Sequence, residues 1–120
     1  MNENILSQKS FNFSLAIIAL YKQLNKEKEY VMSKQLLRSA TSIGANIYEA
    51  NYGCSAKDFV YKLTLSRKEA NESLYWLQLL QLAKYMNDQQ AKCLIKECEE
   101  IMRILTASIQ TAKRNHGILD

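Results

Sequence analysis

Apolar residues recur at spacings of three and four along four segments of the chain, and short polar stretches separate these segments. Such spacing places side chains on one face of an α-helix, whereas a β-strand would alternate with a period of two. The pattern therefore predicts helices over about 7–24, 34–51, 56–86 and 89–114. Because the connections are short, successive helices should be antiparallel neighbours. We expect an all-α fold, an antiparallel up-down four-helix bundle, built as one domain from residues 1–120.

The first predicted helix carries two apolar stripes. The stripe expected to face the core consists of Phe13, Ile17, Leu20 and Leu24. The second stripe lies on roughly the opposite side and consists of Phe11, Leu15 and Ile18. A helix on one side of a bundle needs only one apolar stripe. We therefore expect the second stripe to be an oligomer interface with another copy of the chain. The alternative is an unusually wide surface facing the core of the same subunit.

Residues that favour the start and end of helices stand between the segments. Ser33 is the predicted N-cap of the second helix, and Ser55, with Asp58 three residues later, is that of the third. Asp88 is the predicted cap of the fourth helix, and Gly117 is a natural stop signal after it. The core-facing side of the third helix is predicted to consist of Phe59, Leu63, Ala70, Leu74, Leu77 and either Leu80 or Gln81.

Composition agrees with long helices. The 120 residues include no proline and three glycines, the two residue types that interrupt helices and mark turns. The formal net charge is +4, and the isoelectric point is about 9.0. A mildly basic chain is compatible with nucleic-acid binding, but many proteins without such a partner have the same charge.

The chain lacks the residues that usually carry catalysis in a helical bundle. Its single histidine, His116, is expected in a frayed tail, so the Glu-x-x-His pairs of di-iron bundles and a Cys-His nucleophile are both missing. The three glycines are isolated and form no phosphate-binding loop. We therefore expect a protein that is not an enzyme, with no catalytic residues, no metal and no cofactor.

Cysteine content and hydropathy bear on the location of the protein. Cys54, Cys93 and Cys98 cannot all pair within one chain, and the N-terminal segment lacks the pattern of a signal peptide. The longest apolar stretch, Leu15–Tyr21, is far shorter than the ~20 residues that span a membrane. We expect a cytoplasmic protein with reduced thiols and no membrane partner.

A polar stripe follows the second helix on the face away from its apolar seam and consists of Arg38, Ser42, Asn46 and Glu49. It is either a solvated face or a polar network at a contact between helices or subunits, and the sequence does not separate these two. On the third helix, Glu69 and Glu72 lie three residues apart on one face, within reach of a basic partner on a neighbouring helix. We expect structural ion pairs there in preference to an acid and a base.

The third helix also carries a stripe of lysines and tyrosines, Lys57, Tyr61, Lys68 and Tyr75, flanked by Lys62 and Arg67. Phosphate groups need cations on one surface, and unpaired bases stack on accessible aromatic rings, so this stripe is a candidate RNA-binding surface. The alternative is that the tyrosines pack at the edge of the core while the lysines solvate it.

The run from Gln35 to Ala50 resembles the signature of the 23S rRNA-intervening sequence protein family, also called the four-helix bundle protein family. From Arg38 onwards it has the pattern Arg-Ser-x-x-Ser-Ile-x-x-Asn-Ile-x-Glu. The likeness continues through residues 57–59 and 67–72 to Trp76-Leu77, and it includes the opening Lys9-Ser10-Phe11 and the first helix. It therefore covers nearly the whole chain.

The resemblance implies an up-down four-helix bundle and, in relatives, a ring-shaped homopentamer. Members of the family are encoded within intervening sequences of bacterial 23S rRNA genes or elsewhere in bacterial genomes. A related group, the accessory variability proteins of diversity-generating retroelements, partners a reverse transcriptase and presents basic surface to nucleic acid. We expect a homo-oligomer that binds RNA through Lys57, Tyr61, Lys62, Arg67 and Lys68. The alternative is a scaffold whose partner is another protein.

Overall fold

A computed structural model describes residues 2–119 of the chain, with side chains from residue 5 onwards. The helices are α1 (Asn2–Lys26), α2 (Met32–Ala50), α3 (Ala56–Leu82) and α4 (Asp88–His116). Each helix packs on the next, and α1 also contacts α4, so the four close into a bundle of 48 × 24 × 21 Å. The all-α four-helix bundle predicted from the sequence is confirmed. The α2–α3 contact is the most extensive of the four, and the α1–α4 contact is the least.

The core lies along the bundle axis and is formed by one apolar seam from each helix. The predicted core stripe of α1 is buried at every position: Phe13, Ile17, Leu20 and Leu24. The seam of α2 is also buried and includes Ala40, whose small side chain lets neighbouring helices approach. On α4 the buried positions are Ala91, Leu94, Cys98, Ile101, Leu105 and Ile109. Their recurrence every three or four residues is the periodicity that predicted the helix.

The buried side of α3 agrees with the predicted one at Leu63, Ala70, Leu77 and Leu80 but differs at other positions. Val60, Ser66 and Ser73 are buried, while Phe59 and Leu74 lie half-buried at the edge of the core. The serines are tolerated because their hydroxyls are satisfied. Ser66 donates to the carbonyl of Ile43 at 2.8 Å, and the Ser73 and Ser39 hydroxyls lie 2.8 Å apart. These small polar residues allow α2 and α3 to pack closely.

Ser33 does not cap α2, so that prediction was wrong. The helix begins at Met32, and Ser33 is buried inside its first turn, where its hydroxyl donates to the Glu29 carbonyl. The cap is the Glu29 carboxylate, which accepts the backbone N–H groups of Val31, Met32 and Ser33 at 3.1, 3.1 and 2.7 Å. A carboxylate so placed satisfies otherwise unpaired amide groups and also opposes the positive end of the helix dipole.

Other helix ends agree better with the caps predicted from the sequence. Ser55 caps α3 by accepting the backbone N–H of Asp58, as predicted. Asn87 caps α4, which corrects the predicted Asp88 by one position. Gly117 ends α4 in the left-handed conformation, as its position predicted. At the other end of α3, a left-handed Lys84 stops the helix at Leu82, four residues before the predicted end.

Candidate nucleic-acid interface

The lysine and tyrosine stripe of α3 is exposed in the folded bundle. The side chains of Lys57, Tyr61, Lys68 and Tyr75 all face solvent, and the two tyrosines are 58% and 57% exposed. The Tyr75 ring and the Trp76 indole form a T-shaped pair, with ring centroids 5.0 Å apart. Among the described residues, neither Lys57 nor Lys68 takes part in a salt bridge. This stripe keeps the exposed aromatic and cationic groups that nucleic acid would contact.

The two flanking cations lie on other sides of α3. The Lys62 ammonium lies 2.7 Å from the Glu49 carboxylate on α2, and the hydrogen bond to Glu49 raises the pKa of Lys62 above its ordinary value. Arg67 turns towards α4, where its guanidinium lies 3.5 Å from the Thr106 hydroxyl. The structure thus separates the five predicted nucleic-acid-binding residues, with Lys57, Tyr61 and Lys68 on one face.

The predicted polar stripe of α2 divides into two kinds of contact. Arg38 pairs with Glu69 at 3.3 Å and makes a closer contact with Glu72, so it joins α2 to α3. The Arg38 hydrogen bond, followed by one from Trp76, lowers the pKa of Glu72 below its ordinary value. Arg38 is therefore the basic partner that the spacing of the two glutamates anticipated.

The remaining members of the stripe bond differently. Ser42 donates to the Arg38 carbonyl and Asn46 to the Ser42 carbonyl, both within α2 itself. Glu49 forms the interhelical pair with Lys62. The stripe is a helix-to-helix network at its ends and a locally bonded polar face in its middle.

Phe11, the first residue of the second apolar stripe of α1, lines a groove between α1 and α2. Phe11 and Leu15 are 64% and 52% exposed, and Ile18 is half-buried. The groove has a volume of about 710 Å³ and is lined by Phe11, Tyr48, Gly44, Ala45 and small polar residues, with no charged side chain. Sequence reasoning missed Tyr48, which is 66% exposed. Tyr48 follows Gly44 by four residues, so both lie on one face of α2. This spacing, with the polar Glu49 next in the chain, was the signal in the sequence.

Thiols and possible metal ligands are scattered through the bundle. Cys54 and Cys93 are exposed and Cys98 is buried, and all three are free. Burial, followed by the nearby Glu99 carboxylate, raises the pKa of Cys98 to about 12. Within the described part of the chain, no three His, Cys, Asp or Glu side chains come close enough together to hold a metal ion. In the same residues, no helix is both long and apolar enough to cross a membrane.

The geometry defines a class of protein: a four-helix bundle that displays a basic aromatic stripe on one side and an uncharged apolar groove on another. The sequence model of the 23S rRNA-intervening sequence protein family matches residues 2–107, and the chain belongs to that family. A solved structure from Bacteroides thetaiotaomicron VPI-5482, described as a protein of unknown function from the S23 ribosomal protein family, is similar. It is 46% identical, with a TM-score of 0.90 over 92% of this chain and 99% of that one. Comparison with curated proteins gives no match.

Proposed function

We propose that this protein is a non-enzymatic, cytoplasmic homo-oligomer that binds RNA, with the α3 stripe as a contact surface. The observation that carries the proposal is the exposure of Lys57, Tyr61, Lys68 and Tyr75 on one face of one helix. At 1.5 Å per residue, the stripe extends roughly 27 Å along α3. A rigid helix on which lysines and tyrosines alternate suits a strand whose bases stack while its phosphates meet cations.

The titratable groups support a non-enzymatic role. A general acid or base usually has a pKa displaced towards the operating pH. Among the described residues, hydrogen bonds and charge pairs lower the pKa of the Glu29, Glu72 and Glu100 carboxyl groups below the ordinary value. Each also has a structural partner: backbone amides for Glu29, Arg38 for Glu72 and Lys9 for Glu100. These charges stabilise helix ends and helix pairs.

Self-association is proposed for the groove between α1 and α2. Each copy of the chain has a formal net charge of +4, so two copies repel one another wherever cationic surfaces approach. The groove has no charged side chain in its lining, Phe11 lines it, and Leu15 is exposed one turn further along α1. A second copy is therefore its best occupant, and the resemblance to the family implies that five copies close into a ring.

Self-association is tested by making Phe11→Ser together with Leu15→Ser. We expect the variant to have the mass of a monomer in light scattering at micromolar concentration, with an unchanged helical circular dichroism spectrum. As a control, Leu82→Ser removes an even more exposed apolar side chain far from the groove and should keep the wild-type mass. A wild-type chain that is already monomeric, or a double variant that keeps the wild-type mass, contradicts the proposal.

RNA binding is tested with a fluorescent oligouridylate of about 20 nucleotides, long enough to cover one binding site. Affinity should fall as salt rises, because each phosphate contact releases counterions. Lys57→Ala with Lys68→Ala should weaken binding and flatten the salt dependence. Arg103→Ala with Arg114→Ala removes the same charge from exposed positions on α4 and should leave affinity close to that of the wild type. Background binding by the wild type at low salt would refute the RNA function.

The second candidate function is a scaffold for another protein. The observation in its favour is the groove itself, since exposed aromatic side chains beside an uncharged apolar surface are common at protein interfaces. The two functions are distinguished by how binding depends on salt and on particular side chains. A scaffold keeps its partner at high salt and loses it when Tyr48 is replaced by serine, whereas RNA binding depends on the lysines of α3.

A further inference from the structure

The two connections at one end of the bundle form a surface that the α3 stripe does not include. Because the helices run up and down, the α1–α2 connection (27–31) and the α3–α4 connection (83–87) lie at the same end. We call this end the connection surface. Two tyrosines, Tyr30 and Tyr85, are exposed on it, beside Val31 and Leu82, which are 74% and 78% exposed. Each connection, together with the helix end beside it, thus presents one aromatic and one aliphatic side chain to solvent.

Most of the net charge of the protein also lies there. Residues 22–34 and 82–92 contain six lysines and three carboxylates, a net charge of +3 out of the +4 of the whole chain. The lysines, all exposed, are Lys22, Lys26, Lys28, Lys34, Lys84 and Lys92. None of them takes part in the salt bridges of the described residues. Elsewhere Lys9, Arg38 and Lys62 are all neutralised by carboxylates on neighbouring helices.

Lysine occupies an unusual backbone position in both connections. Lys28 and Lys84 have φ angles of +66° and +71°, in the left-handed region that favours glycine. In each case the next residue donates its N–H back across the helix end, Glu29 to Leu24 and Tyr85 to Leu80. Glycine is the common residue at such a cap. A lysine there is partly favoured by the negative end of the helix dipole. The dipole does not account for the exposed tyrosine close beside each lysine.

The connection surface continues the α3 stripe. Tyr61, Lys68, Tyr75 and Leu82 recur every seven residues, so they follow one face of α3 up to the end of the bundle. A flexible strand can pass along this face and turn over the end. A flat membrane that touches the end would leave the stripe, which runs along the side of the bundle, without contact. The continuity of the two surfaces therefore favours a single strand over a lipid surface.

We propose that the connection surface is the main electrostatic anchor for single-stranded RNA. Lys28 and Lys84 contact phosphates, and Tyr30 and Tyr85 stack on unpaired bases. This inference rests on the proposed RNA-binding function and assigns it a second, more basic surface. It also assigns the α3 stripe the lesser share of the electrostatic attraction.

The test replaces Lys28 and Lys84 by glycine in the full chain. Glycine suits the left-handed backbone of both positions, so the double variant should fold at least as stably as the wild type. With the oligouridylate of about 20 nucleotides, we expect affinity to fall roughly tenfold at low salt, and the slope of log affinity against log salt to fall by about 1.4. The control pair Arg103→Ala and Arg114→Ala loses the same charge and should change neither quantity by more than about twofold.

A second variant tests base stacking separately from the effect of charge. Tyr30→Leu with Tyr85→Leu keeps apolar surface and net charge while removing both aromatic rings. We expect a loss of roughly tenfold or more in affinity for the oligouridylate, with an unchanged salt slope. Unchanged affinity would refute base stacking at this end of the bundle.

The outcomes separate this inference from the function on which it rests. If the wild type fails to bind the oligouridylate, both are refuted. If the wild type binds, and Lys57→Ala with Lys68→Ala weakens binding while the glycine variant does not, the RNA function stands and the anchor is refuted. The anchor is also refuted if the glycine variant keeps its RNA affinity but loses binding to phosphatidylserine–phosphatidylcholine vesicles. That last result would assign the surface to a membrane.

Discussion

Replacing Glu29 by glutamine should destabilise the protein through one helix end. Both oxygens of the Glu29 carboxylate are used: Oε2 accepts the N–H groups of Val31 and Met32, and Oε1 accepts that of Ser33. The residue as a whole is buried, with 6% of its surface exposed. A glutamine has only one acceptor oxygen at this position. Its amide nitrogen would therefore face at least one backbone N–H that has lost its acceptor.

The magnitude follows from these contacts. Losing one hydrogen bond to a charged acceptor and leaving its donor without a partner costs about 2 kcal/mol. The lost interaction with the helix dipole adds up to about 1 kcal/mol. We therefore expect the free energy of unfolding to fall by about 2–3 kcal/mol at neutral pH, a large share of the stability of an ordinary domain. Glu27→Gln removes the same charge from an exposed neighbour and should change stability by less than about 0.5 kcal/mol.

The effect should depend on pH in a defined direction. Burial by itself raises the pKa of Glu29, but the hydrogen bonds from Ser33, Met32 and Val31 lower it, and the net pKa lies below the ordinary value of 4.5. A carboxyl group whose pKa is depressed on folding contributes stability above its unfolded pKa and loses that contribution as the pH falls through the folded pKa. The difference between wild type and Glu29→Gln should therefore be full at neutral pH and shrink below pH 4.5.

The assay is urea unfolding followed by far-ultraviolet circular dichroism, at one protomer concentration because assembly would add to apparent stability. Measurements at neutral and acidic pH give the two differences in the free energy of unfolding. Equal stability of wild type and Glu29→Gln at neutral pH would refute the capping role. A difference that stays constant into the acidic range would refute the role of the charge.

Three further outcomes are expected. Under native conditions iodoacetamide should label Cys54 rapidly and Cys98 only on unfolding, because Cys98 is buried and its burial raises the pKa to about 12. Mass spectrometry measures the labelling rate of each thiol, and equal rates would contradict the burial of Cys98. Ser73→Leu should lower the free energy of unfolding by about 1–3 kcal/mol or more by forcing α2 and α3 apart, whereas Ser73→Ala should cost about 1 kcal/mol; similar urea midpoints for both would show that the contact is loose. Arg38→Ala should cost only about 0.5–1 kcal/mol, since its pair with Glu72 is partly exposed, and the deficit should shrink in high salt; a salt-independent loss would indicate packing instead of charge.

Helix ends illustrate how far local sequence rules reach. Ser55 was predictable because a serine three residues before an aspartate is a local capping pattern, and the contact needs only the first turn of the helix. Glu29 was not, because its carboxylate reaches the end of α2 only when the preceding chain turns back through the left-handed Lys28. Ser33 matched the usual cap residues but was drawn inside the helix.

The buried side of α3 also shows where prediction from the sequence fails. Heptad-like spacing indicated a core-facing side, but it favoured Phe59 and Leu74 over Ser66 and Ser73 because hydrophobicity was the only criterion. The serines became buried because the carbonyl of Ile43 and the hydroxyl groups across the helix contact supply hydrogen-bond partners. Such partners belong to a different helix, and no periodicity within α3 reports them.

For the candidate RNA-binding surfaces, too, the sequence predicts some features and not others. Exposure of Lys57, Tyr61 and Lys68 follows from helical periodicity, and so does the outward stripe of Phe11 and Leu15 on α1. Neutralisation of Lys62 by Glu49 does not, because it depends on the distance between two helices. Pairing of cations across helices leaves the connection surface as the most basic part of the bundle.

By itself, then, the amino-acid sequence determined an all-helical chain, its four apolar seams, the double stripe of α1 and membership of a family, because each depends on residue order over short distances or on the whole pattern at once. Tertiary structure alone decided which serines are buried and which cations keep their charge free for a partner. Those outcomes depend on groups from different helices meeting within hydrogen-bonding distance, and that distance is set by packing.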